Sequence, residues 1–255
     1  MKTDHIPHGD DGPALHSGPF RILGSGPFRT LESGPFRTSR VLIGLIVLIC
    51  LPEAVLLLAD YGVIGSPRWR QLAYQYGAFW TGLLHGWKPN YSAQPVVMFI
   101  TYAFLHTGPG HLIGNILGLG WLGTRIIGRW GPGRFVWLYL TAMLGGAAGF
   151  GALSHNPAPM VGASGAIFGL MAAWIVGEWQ DRASLGQAAG KNRGQNRWAA
   201  IRPALGLTVA LAGFNLIIWV LQGGILAWET HLGGFLAGAV IALIFIRIGA
   251  GRRAG

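Results

Sequence analysis

The sequence predicts an all-α membrane protein of six transmembrane helices, with a long first outer loop and a disordered N-terminal tail. Three observations carry that expectation. Hydrophobic residues make up 51% of the 255 positions and charged residues 11%, where soluble domains carry about 25% charge. Six segments are long and apolar enough to cross a hydrocarbon core of about 30 Å, which takes around 20 helical residues. The basic residues are also sorted: sixteen of the nineteen Lys and Arg fall on one side of those six segments.

Residues 1–40 differ in character from the rest. A unit repeats there three times, as SGPFRILG, SGPFRTLE and SGPFRTSR. Gly-Pro in each unit forbids a continuous helix, and units this short bury no core. A disordered cytoplasmic tail is expected, with Phe20, Phe28 and Phe36 beside Arg21, Arg29 and Arg37 as a weak surface-binding array in the sharper reading. The apolar run starts only at residue 41, behind a polar stretch, which does not fit a cleavable signal peptide. Asp4, Asp10, Asp11 and Glu32 and the Gly-Pro breaks argue against a mitochondrial presequence.

The membrane domain is expected over 41–249, followed by a basic C-terminus at 250–255. Its spans are read as 41–59, 95–124, 135–153, 161–179, 203–222 and 230–248. The second is over-long, and its HTGPG turn predicts that the helix proper starts near His111. Residues 69–87 are apolar without acidic groups but rich in Trp, Tyr and Gln, and are read as an interfacial element of the first loop. Trp69, Trp80, Trp87, Trp130 and Trp228 sit near segment ends, as interfacial anchors do. Forty-two glycines suit membrane helices, which pack through small residues. Cys50 is the single cysteine, so no intrachain disulfide is possible.

The net charge of +10 raises nucleic acid as a partner, but its placement speaks for orientation instead. Arg68, Arg70 and Lys88, all in the first loop, stand alone on one side. Both termini are therefore expected in the cytoplasm, and helices two, four and six begin at the outer face. His111, Ser164 and His231 each fall in the first few residues of those three helices, at one expected depth.

Ser164 stands out because no Asp, Glu, Lys or Arg occurs from Phe135 to Gly177. A serine needs a base to become a nucleophile. The candidates are His231 and the pair His106/His111. His231, Gly234 and Gly238 share one helix face, and Gly165 and Gly169 form a GxxxG in the fourth span. Two smooth faces allow close approach, so His231 is the better base. His111 and Asn115, four apart, project from one face and offer donors for an oxyanion beside the Ser164 backbone N–H. His106 is read as closing the HTGPG turn. No triad acid fits: Asp60 and Glu229 are both expected on the outer side, and Glu229, two residues before His231, points to another face. HExxH, Cys/His clusters and paired intramembrane aspartates are lacking, which disfavours metallo- and aspartyl mechanisms. No cofactor or metal is expected.

The joint pattern H-x4-H-x3-N (His106, His111, Asn115), GxSG (Gly162 to Gly165) and H-x2-G-x3-G (His231, Gly234, Gly238) resembles the rhomboid intramembrane serine proteases, over about 41–249. The resemblance implies a Ser164–His231 dyad and an oxyanion site from His111, Asn115 and the Ser164 backbone. It also implies an outward-opening cavity and single-pass membrane proteins as substrates, cut near the outer end of a helix that unwinds easily. A bacterial inner membrane is the expected location, and no motif fixes an oligomeric state. The chain departs from the family at three places. Phe168 stands where a Tyr commonly stacks on the histidine, so the ring is kept without its hydroxyl. Thr230 replaces an Ala before the histidine, adding bulk against the approach of helix six. The nearest Trp-Arg pair, Trp69-Arg70, lies far upstream of helix two, with a longer loop between. A non-catalytic relative that binds or escorts membrane clients is the alternative function. A transporter is disfavoured, since its polar groups would gather near the bilayer centre.

Overall fold

Why the chain breaks where it does is clearest at the joints. The computed structural model describes residues 39–188 and 227–254, with Arg202, Gly206 and Val209 besides. The SGPFR repeats and the segment 203–222, apart from Gly206 and Val209, lie outside the described residues. Seven α-helices are described: α1 (Arg40–Asp60), α2 (Arg68–Gly77), α3 (Gln94–Thr101), α4 (Pro109–Trp130), α5 (Pro132–Leu153), α6 (Ser164–Ala188) and α7 (Trp228–Ala254). Pro109 and Pro132 each sit in the first turn of their helix, where the missing N–H costs nothing. Gly131 at once ends α4 and precedes α5.

Among the described residues three helices are long and apolar enough to cross a membrane: α1, α5 and the first 22 residues of α7. The expected second span is broken. α3 and its trailing 3-10 turn meet α4 at 82°, and HTGPG is the bend. α6 falls short of the same measure, because Glu178, Gln180, Asp181 and Arg182 occupy its later turns. Residues 69–87 become α2 and a short 3-10 turn at Thr81–Leu84. α7 runs on as helix to Ala254, through residues read as a C-terminal tail.

α7 packs between α5 and α6. Helices in lipid gain little from hydrophobicity alone, so tight van der Waals packing must hold them. The sequence supplies it through glycine. A Cβ on Gly234 would collide with the carbonyl of Gly165, and one on Gly238 with that of Gly169. On the α5 side, a Cβ on Gly149 would stand 2.9 Å from the Cα of Gly233. Tyr102 forms the hub of the core. Its hydroxyl donates to the Met143 carbonyl at 2.7 Å, and its carbonyl accepts the Gly162 N–H at 2.9 Å. The loop before α6 is pinned a second time by the isolated bridge between Phe79 and Met160, with bonds of 3.0 and 2.9 Å.

Candidate active site

Two anchored ends of one short loop set the position of Ser164. Between the Met160 bridge and α6, Gly162 adopts φ +122°, and a Cβ there would lie 2.6 Å from Cε1 of His111. Glycine satisfies both demands: the left-handed backbone and the close imidazole. Ser164 is then the first residue of α6, so the N–H groups of its first turn have no partner within the helix. They point the positive end of the helix dipole at the hydroxyl's surroundings.

His231 occupies the first turn of α7 and is buried, 8% exposed. Its Nε2 lies 2.9 Å from Ser164 Oγ. Phe168, one turn into α6, stacks on the imidazole with ring centroids 4.1 Å apart and planes 6° from parallel. The ring is held at the angle that the hydrogen bond needs. The distance is possible because Gly234 lets α7 reach the α6 backbone. Thr230 does not hold the helices apart. Its methyl occupies the space that a Cβ on Gly165 would enter at 2.6 Å, or one on Gly146 at 3.1 Å, so two glycines on two helices absorb the added bulk. Among the described residues the buried Thr230 hydroxyl has no hydrogen-bond partner.

His111, in the first turn of α4, faces this pair across Gly162. Its Nδ1 receives the Thr107 backbone N–H at 3.5 Å and lies 3.2 Å from the Thr107 hydroxyl. An N–H only donates, so this contact favours the tautomer in which Nδ1 accepts and Nε2 carries the proton. A Cβ on Gly162 would lie 2.9 Å from that Nε2, so the donor faces the serine loop. Asn115 is buried one turn on. Its amide nitrogen donates to the His111 carbonyl at 2.9 Å, which uses one of its two N–H groups and leaves the other. His106 is fully buried, edge-on to His111 at 5.1 Å between centroids.

The structure also gives Arg70 a place that the sequence did not foresee, and brings in Tyr74 and Glu53, which the sequence did not single out. Arg70 of α2 donates to the His106 carbonyl at 3.0 Å, and the Tyr74 hydroxyl donates to the same oxygen at 2.6 Å. The Arg70 guanidinium also takes both carboxylate oxygens of Glu53, each at 2.9 Å, and Asp60 at 2.7 Å. Burial works against the Arg70 charge, yet hydrogen bonds to Glu53 and Asp60 hold its pKa above the ordinary value. Burial likewise raises the Tyr74 phenol, which keeps it a donor. Arg70, remote in sequence from α4, thus reaches the turn that precedes it. The available signal was Glu53, the one charge between Arg40 and Asp60 in an apolar helix. Among the described residues no group of three or more His, Cys, Asp or Glu is placed to hold a metal ion.

Chemically the arrangement offers a hydroxyl, a base on it, and N–H donors on the opposite side. The rhomboid domain model matches residues 93–248. The chain is similar to RHOMBOID-like protein 12, mitochondrial, of Arabidopsis thaliana, with 29% identity over 180 residues, 64% of this chain and 49% of that protein. It is 40% identical to Rhomboid protease GluP of Bacillus subtilis (strain 168) over 76 residues, 30% of this chain and 15% of that one. RHOMBOID-like protein 1 of Arabidopsis thaliana is 30% identical over 149 residues, 57% of this chain and 33% of its own. The chain spans about half or less of the length of these relatives.

Proposed function

The chain belongs to the rhomboid family, and from that premise we propose that it is an intramembrane serine endopeptidase. Its proposed substrates are single-pass membrane proteins, cut near the outer end of their transmembrane helix. The observation that carries the reading is the 2.9 Å contact between Ser164 Oγ and His231 Nε2. In the proposed reaction Ser164 attacks the scissile carbonyl while His231 takes the hydroxyl proton. The oxyanion forms against the His111 Nε2–H, the free Asn115 N–H and the Ser164 backbone N–H. His231 then gives its proton to the leaving amine, and the acyl-enzyme remains on Ser164. Water, deprotonated by His231, attacks that ester and frees the serine.

The protein is an integral, multi-pass membrane protein. Six spans, with both termini in the cytoplasm of a bacterial inner membrane, are the fuller layout we propose. Sixteen of nineteen basic residues on one side support it. Catalysis is tested with the full chain in proteoliposomes and a set of single-pass substrates. Wild type should release cut fragments, and Ser164→Ala should release none. Bound but uncut substrate with wild-type protein would point instead to a client-binding or escort role.

A further inference from the structure

We infer that Glu53 and Arg70 are positioning residues for the oxyanion donor His111, acting through the one peptide group that joins His106 to Thr107. The inference rests on the protease reading of the site. It begins at Glu53, whose carboxylate is fully buried in the apolar stretch of α1 between Arg40 and Asp60. A charge inside a membrane helix requires a partner, and Arg70 supplies it from α2. Nη1 and Nη2 each bond one carboxylate oxygen at 2.9 Å. That fork fixes the guanidinium plane. Nη1 has a second hydrogen to give, and it goes to the His106 carbonyl at 3.0 Å. The Tyr74 hydroxyl meets the same oxygen at 2.6 Å.

The His106 C=O and the Thr107 N–H belong to one planar group and point in opposite directions. Holding the oxygen therefore aims the N–H, and its target is His111 Nδ1 at 3.5 Å. A cation on the carbonyl oxygen also polarises the peptide and strengthens its N–H as a donor. The consequence at His111 is a fixed tautomer: Nδ1 accepts, and the proton stays on Nε2, beside Gly162 and Ser164. A carboxylate in the first helix thereby helps decide which imidazole nitrogen can stabilise an oxyanion three elements away. A purely structural role, tying α1 to α2, would involve the same bonds but would have no special dependence on His111.

That difference is measurable on the full chain in proteoliposomes. Arg70→Lys and Glu53→Gln should lower kcat about 10- to 100-fold with KM little changed, the scale expected when a catalytic group is displaced. In a His111→Ala background the same changes should cost less than about twofold more. Losses that multiply undiminished in that background would overturn the inference, as would an unchanged kcat in folded variants. If either variant fails to fold, Tyr74→Phe removes a donor from the same carbonyl while leaving the ion pair, and is read in the same way. Nitrogen-15 shifts of labelled His111 give a second readout. Wild type should show a protonated Nε2, and Arg70→Lys a mixture of tautomers; identical spectra would also overturn the inference. If wild type neither cleaves nor takes a fluorophosphonate label at Ser164, the protease reading fails, and the spectra still judge the positioning role separately.

Discussion

At the scale of single residues, the proposed reaction turns on the Ser164 hydroxyl and the His231 nitrogen 2.9 Å from it. Ser164→Ala and His231→Ala should each remove cleavage in a proteoliposome assay. Ser164→Ala should leave thermal unfolding in detergent close to wild type, whereas His231→Ala also gives up the stack on Phe168 and should lower Tm somewhat. His111→Ala or Asn115→Ala should lower kcat by about 10²–10³, the usual cost of one oxyanion donor. Asn115 should sit at the lower end, because its amide already spends one N–H on the His111 carbonyl. His231 accepts the serine proton only as the neutral imidazole, so its protonation on acidification removes the base. Activity measured from pH 8 downward should therefore fall, and a profile flat to strongly acid pH would speak against His231 as base. Phe168 keeps the stack at 4.1 Å without a phenol. Phe168→Tyr should be well tolerated, and Phe168→Ala should slow turnover by freeing the ring to rotate.

At the scale of elements, α6 and α7 form a pair of helices that touch backbone to backbone. Gly234→Ala would drive a Cβ into the Gly165 carbonyl, and overpacking of this kind costs about 1–3 kcal/mol. Circular dichroism melts in detergent should show a lowered Tm, and cleavage should fall further than stability does, because Ser164 and His231 move apart together with the helices. Had the sequence been less regular, this pairing would have been invisible. His231, Gly234 and Gly238 recur on one helical face, so the approach to Ser164 was legible from spacing alone, whereas the Phe168 stack was implied only by the family resemblance. The entrance to α4 was not. Arg70 and His106 are 36 residues apart, and no periodicity says where a long loop returns. Thr230 looked like an obstacle because the room for its methyl belongs to Gly146 and Gly165, on two other helices.

At the scale of the whole molecule, the polar groups collect at one end of the bundle: His111, Ser164 and His231 each lie in the first turns of their helices. The opposite end is held by Arg129, whose guanidinium bonds Asp181 of α6 at 2.6 Å and also the Gly177 carbonyl at 3.0 Å. The Asp181 side chain is half exposed, and pairs of that kind contribute about 0–1 kcal/mol. Asp181→Asn should leave cleavage unchanged within about twofold and barely move the melting curve. Topology reporters fused to residues 1 and 255 should both read cytoplasmic, and an outward reading at either end would break the six-span layout. The central claim, that Ser164 is an activated nucleophile with His231 as its base, is tested most directly by labelling the purified chain with a fluorophosphonate. The account predicts labelling of wild type at neutral pH that disappears in both Ser164→Ala and His231→Ala. A folded wild type that takes no label, or label that persists without Ser164, would contradict it.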